Sequence, residues 1–175
     1  MRSITIAAPA LMLGYGIARW IDGWDGARHN GPAWTIGHTM FFLAMVLFAV
    51  QAAGLARLAR DRLAIAVPAL AATVFGAACF LWVIVGDLFS GFDHPLPSRL
   101  ENFGPALFVI GMVTLLVLQS VTRRLPWWSP AAFLVGFVAT SVDLDLLPFA
   151  AALILIGSIP VARGVFAAPR RELLI

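Results

Sequence analysis

Apolar residues run through this chain in long blocks, and the charged residues collect between the blocks. Stretches without Asp, Glu or Arg fall at 3–18, 29–56, 63–86, 102–122, 125–142 and 146–162. A helix needs about 20 mostly apolar residues to cross the hydrocarbon core of a bilayer. The first stretch and the last two are short, and they reach that length once Trp, Arg or terminal turns are allowed at the interface. The pattern predicts six helices, at about 3–20, 33–56, 63–86, 103–122, 127–142 and 146–163. Joining the last two would make a rod of about 57 Å, with Asp143 and Asp145 near its middle. A tight hairpin at Asp143-Leu-Asp-Leu is the less costly arrangement.

Composition turns these helices into spans. Of 175 residues, 61% are hydrophobic and 12% are charged, with a mean hydropathy of +0.93. A soluble domain of about 150 residues leaves roughly 30% of its unfolded-chain surface in water, and a chain this apolar has too few polar groups to cover such a surface. A soluble enzyme, a disulfide-stapled secreted domain and a disordered tail are excluded. The expected fold class is an all-α integral membrane protein, one domain over residues 1–175, built as a compact bundle of six transmembrane helices. Met1-Arg2 and the apolar run to Ala18 have the form of a secretory signal, with Gly16 and Ala18 as small residues for cleavage; we read the segment as a retained first helix. Cys79, the single cysteine, lies in an apolar run and reads as a small buried hydrophobe, so paired-thiol redox chemistry within one chain is excluded.

The positions of the charges predict the topology. All twelve basic residues are Arg, a bias that points to a GC-rich, bacterial coding genome. With the N-terminus inside, one side carries nine arginines (2, 57, 60, 62, 123, 124, 163, 170 and 171) against Asp61 and Glu172, a net +7. The other side carries Arg19, Arg28 and Arg99 against seven carboxylates, a net −4. The positive-inside rule then places both termini in the cytoplasm of a bacterial plasma membrane. In this setting the inner arginines read as topology determinants and contacts to anionic lipid, and nucleic acid is not an expected partner. Membrane lipids are.

Two further patterns bear on packing. Ala-Pro-Ala-Leu at 8–11, Val-Pro-Ala-Leu at 67–70 and Ser-Pro-Ala at 129–131 lie early in the odd helices. Gly-Pro-Ala-Trp at 31–34, Gly-Pro-Ala-Leu at 104–107 and Leu-Pro-Phe at 147–149 open the even ones. They suggest three repeated hairpins of the kind transporters use; proline and arginine marking helix ends would leave the same trace. Small residues also recur at helical spacing, at Ala7, Ala10, Gly14 and Ala18, at Ala69, Ala72, Gly76, Cys79 and Val83, and at Ala132, Gly136 and Thr140. Such stripes let helix backbones approach closely in lipid.

No P-loop, dinucleotide fingerprint, HExxH, GxSxG or CxxC is present, and no cofactor is expected. Instead, His29, His38 and His94 and seven of the nine carboxylates fall on the outer side. His38 shares a helical face with Met45, Ala49, Ala52 and Ala56 and so should point into the bundle, where an ionisable residue is a functional candidate by default. A histidine that only joins helices by a hydrogen bond fits the same position. Catalytic candidates are His38, Asp22, Asp25 and Asp87, with His38 as acid or base and an outer aspartate orienting it. Substrate-binding candidates are Arg19, His38, Trp20, Trp34, Trp82 and Asp87. Trp20, Trp24, Trp34 and Trp82 also fit an outer interfacial belt, and Trp127 and Trp128 an inner one. Arg19 is expected to pair with Asp22, or with Asp87 if the first and third helices meet. Gln51, opposite His38, is expected to join helices or line a polar path. Asp25, His29, His38 and His94 have the ligand chemistry for zinc, copper or iron, but their spacing is nonspecific and no metal is expected. Three function classes fit: binding or transport of a small molecule or ion through an outward cavity near His38, a membrane-embedded enzyme acting on a lipid or isoprenoid at the outer leaflet, and an accessory subunit. A polar cavity reaching His38 favours the first two; solid packing there favours the third.

Overall fold

The computed structural model describes residues 1–22, 24, 31–89, 91, 92 and 94–166, and these contain helices and no strand. Six helices run up and down in sequence: α1 (Arg2–Asp22), α2 (Gly31–Leu58), α3 (Leu63–Leu88), α4 (Ser98–Val121), α5 (Trp128–Val142) and α6 (Leu147–Pro160). Short 3-10 turns at Arg60–Arg62 and Leu144–Leu146 join α2 to α3 and α5 to α6, and a π-turn at Val161–Val165 follows α6. The expected break at Asp143 is therefore present, and the Asp143 carboxylate accepts from the Asp145 amide at 2.8 Å.

Five segments are long and apolar enough to cross a membrane: α1, α2, α3 with its preceding turn, α4, and α6 with its flanking turns. The sixth helix departs from the expectation of six full spans. At 15 residues, α5 measures about 22 Å, less than the roughly 30 Å of a hydrocarbon core. α4 departs in the other direction, starting at Ser98 rather than near 103. Its first turn carries Glu101, where a carboxylate suits the positive end of the helix dipole. The earlier start places Pro105 inside α4, and Pro9 and Pro68 are likewise interior to their helices. Pro9, Pro68 and Pro105 lie beyond the first turn of α1, α3 and α4, so the carbonyls of Thr5, Ala64 and Glu101 each lack the helical donor four residues on.

The helices form a ring in chain order. α1 lies between α2 and α6, α3 between α2 and α4, and α5 against α6, with α4 and α5 packing least of the neighbouring pairs. Because the helices alternate in direction, Arg19, Asp22, Asp87, Glu101 and Asp145 share one end, while the arginines of the α2–α3 and α4–α5 connections share the other. Side chains fill the middle of the ring at the level of Phe48. Phe48 of α2 is fully buried and makes edge contacts with Phe108 (5.9 Å between centroids), Phe133 (5.6 Å) and Phe137 (6.1 Å).

Glycine sets how near the helices come. A Cβ on Gly76 would collide with the Gly104 carbonyl and the Phe108 backbone, and one on Gly111 with the Ala69 carbonyl and Thr73. α3 and α4 thus touch backbone to backbone, as the α3 stripe predicts. Gly136 of α5 meets Ile154 and Ala150 of α6 in the same way. The α1 stripe holds in its second half, where Ala18 is buried and Gly14 lies against Met40 of α2. In the first half Ala10 is exposed and the buried face carries Thr5, Ala8 and Met12 instead, because α1 must bury its larger side chains against both α2 and α6. Gln51 also differs from expectation. It is fully buried, yet neither amide atom has a hydrogen-bond partner; the interhelical bond in this layer comes from Gln119, whose Nε2 donates to the Leu55 carbonyl at 3.1 Å.

Two outcomes test the fold. Cysteines placed at the exposed positions Gly91 and Leu144 should react with an impermeant reagent added outside cells, and cysteines at exposed Arg60 and Arg124 should react only after permeabilisation. Gly111→Leu should lower thermal stability by about 1–3 kcal/mol through overpacking, whereas Gly91→Leu, with nothing within 4 Å of its Cβ position, should leave the melting temperature unchanged.

Candidate functional site

At the acidic end, Tyr15 of α1, His38 and Phe41 of α2, Phe80 and Asp87 of α3, and Glu101 and Pro105 of α4 surround a cavity of about 210 Å³. His38 is the eighth residue of α2, about 10 Å from its start, and faces inward with 4% of its surface exposed. Met45 and Ala52 on the same face are fully buried, as the periodicity predicts. Nδ1 of His38 lies 2.9 Å from the Trp34 carbonyl. A carbonyl only accepts, so Nδ1 carries a proton and donates it. Nε2 stands 3.5 Å from Asp87 Oδ2, an ion-pair distance longer than a good hydrogen bond. The ring is wedged between Trp34, 3.7 Å away between centroids, and the edge of Tyr15 at 5.3 Å.

Tyr15 is the sole tyrosine of the chain. Its ring stacks on Phe41 at 4.8 Å, and the Arg19 guanidinium one turn on acts electrostatically on its hydroxyl. Arg19 is paired differently from expectation: its Nε lies 3.8 Å from Asp145 Oδ1. The reason is topological, since α1 packs on α2 and α6 and so meets the α5–α6 turn. Asp22 is buried at the end of α1 and does not line the His38 cavity.

The candidate tryptophans separate. Trp34 touches His38, and its Nε1 donates to the Asp87 carbonyl at 3.4 Å. Trp20 makes an edge contact with Phe149 of α6 and donates to the Asp145 carbonyl at 3.0 Å, away from the cavity. Trp82 donates to the His94 carbonyl at 2.8 Å and lines a second cavity with Phe92, His94 and Glu101. Trp20 and Trp82 thus fasten connecting segments to the bundle, while Trp34 joins α2 to α3. Of the metal-candidate set, Asp25 and His29 lie outside the described residues, while His38 and His94 line different cavities. Among the described residues no group of three or more His, Cys, Asp or Glu side chains comes together to hold a metal ion.

Sequence reasoning missed Tyr15 and Glu101. A lone tyrosine in an apolar span needs a partner for its hydroxyl, and Arg19 four residues on was the visible signal. Ser98-x-x-Glu101 has the spacing of a capping box, which marks a helix start within what reads as a loop; in the fold the cap position falls to Pro97.

A larger cavity of about 450 Å³ adjoins the first and shares Tyr15, Phe41, Phe80, Glu101 and Pro105 with it, extending past Phe137 towards α5. Together they form a mostly apolar hollow with a few placed polar groups, the usual character of a small-molecule site. No known protein family, curated protein or solved structure matches the chain.

Removing the Tyr15 hydroxyl should matter less than removing the ring. Tyr15→Phe keeps both ring contacts and should shift stability by about 1 kcal/mol, while Tyr15→Ala should lose about 3 kcal/mol, read from thermal melts of the purified protein.

Proposed function

We propose that this protein is a multi-pass protein of a bacterial plasma membrane, with both termini cytoplasmic, that binds or transports a small molecule or ion through an outward-facing cavity at His38. The observation that carries this reading is the cavity itself. Above the layer closed by phenylalanine and glycine packing, space is left where His38, Asp87, Tyr15 and Glu101 converge. A helix-joining histidine needs no space beside it, and an accessory subunit needs no internal hollow. The arginine-rich end and the acidic end support the orientation, and the carboxylates at the cavity would concentrate cations there.

A second reading rests on one specific contact. With Nδ1 held by the Trp34 carbonyl, Nε2 faces the cavity side beside Asp87, an arrangement suited to general acid or base chemistry on a lipid or isoprenoid at the outer leaflet. Turnover of such a lipid by purified protein, lost in His38→Ala, would favour the enzyme.

The test of the binding reading is His38→Ala. A screen of small molecules by thermal shift should find compounds that stabilise the wild-type protein, since a ligand that binds only the folded state raises its melting temperature. His38→Ala should lose that shift while its own stability falls by no more than about 1.7 kcal/mol, the upper range for an interhelical hydrogen bond in lipid. An unchanged ligand response in the variant, with only a stability loss, would leave His38 as a packing residue.

A further inference from the structure

The seam between α4 and α5 is the weakest junction of the ring, and it has hollows on both faces. Outside, a depression of about 270 Å³ lies among residues that include the exposed Ile110 and Val138. Inside lies the cavity of about 450 Å³ that adjoins the His38 site. The two share Asn102, Pro105, Val109, Phe137 and Ser141, so a single layer of side chains separates the membrane-facing surface from the interior. Nothing across this layer resembles the glycine contacts that lock α3 to α4 or α5 to α6. α5 is also the shortest helix facing this route after α6 and, unlike α6, gains no added turn that carries it to a full span.

The interior is acidic and aromatic. Asp87 and Glu101 line the His38 cavity, and among the described residues no arginine does. Arg19 is turned to Asp145, 3.8 Å away. Glu101 is exposed, forms no ion pair among the described residues, and lines three adjoining cavities. Pro105 removes the N–H that would have bonded the Glu101 carbonyl, which adds an acceptor at the same place. Tyr15, Phe41 and Phe80 supply aromatic rings, whose faces attract organic cations, the more so when desolvated.

We infer that the α4–α5 seam admits a lipophilic cation sideways from the outer half of the membrane, and that its charged head comes to rest between Asp87 and Glu101 with its tail along Val109 and Phe137. The inference rests on the binding reading of the same cavity and adds the ligand class and the route.

The test uses the full chain in lipid nanodiscs with decyltrimethylammonium as the probe, its uncharged tert-butyl carbon isostere as the control for charge, decyl sulfate as the control for sign, and tetramethylammonium as the head without a tail. Binding is read by quenching of tryptophan fluorescence and by thermal shift. Decyltrimethylammonium should bind about ten-fold more tightly than the isostere. Glu101→Gln, an exposed and conservative change, should weaken it about five-fold. Val109→Trp should slow its association at least ten-fold while leaving tetramethylammonium, which reaches the head site from water, unaffected. Equal binding of the isostere, or preference for decyl sulfate, overturns the ligand class but leaves the cavity a binding site if His38→Ala still abolishes the signal. Unchanged association in Val109→Trp overturns the lateral route. No saturable binding of any of the four probes overturns this inference, and the binding reading falls with it only if the wider screen also finds no ligand sensitive to His38→Ala.

Discussion

Close backbone contact at glycine is the interaction on which this bundle depends. Lipid tails offer apolar helices as good a solvent as another helix does, so association must come from packing and interhelical polar contacts. Gly76, Gly104 and Gly111 remove the side chains that would keep α3 and α4 apart, and Gly136 and Gly157 do so between α5 and α6. Gly37 brings α2 onto Tyr15 and Ala18 of α1. The three sequential hairpins are accordingly the most extensively packed pairs. The remaining junctions join these units, and the loosest of them, α4 to α5, is where the interior approaches the outer surface.

That uneven packing decides where chemistry can happen. Phe48 and the phenylalanines around it occupy the middle of the ring, so the hollow lies at the acidic end above them. His38 reaches it because it faces inward from α2, which packs on α1, α3 and α4. Trp20, Trp34 and Trp82 each donate an indole N–H to a carbonyl on another segment, tying the acidic end of the bundle together. Cys79, read as a packing residue, fills that role against Gly104 while forming part of the cavity wall.

The buried polar groups divide by whether the backbone can serve them. Thr73 and Ser158 bond carbonyls one turn back in their own helices, each at 2.8 Å, an arrangement any helix offers. Gln119 crosses to Leu55 of α2. Gln51 is equally buried and has no such partner; nothing in the packing around it explains its retention, and it does not line the cavities at the acidic end.

What the sequence determined by itself was whatever follows from period, length and charge. Apolar blocks of spanning length and the arginines between them specify the helices and their alternation, because a membrane leaves a chain few alternatives. The inward direction of His38 follows from the 100° step along α2, and the α3 stripe follows from spacing alone. Tertiary structure decided what depends on which helices become neighbours. Arg19 meets Asp145 rather than Asp22 or Asp87 because α1 lies beside α6. Tyr15 and Glu101 join the site because α1 and α4 face the same hollow as α2 and α3. The first half of α1 buries Ala8 and Met12 rather than Ala10 because the helix fills space between two neighbours. A linear pattern carries the direction of each side chain around its own helix, and it holds no record of the helix that stands opposite.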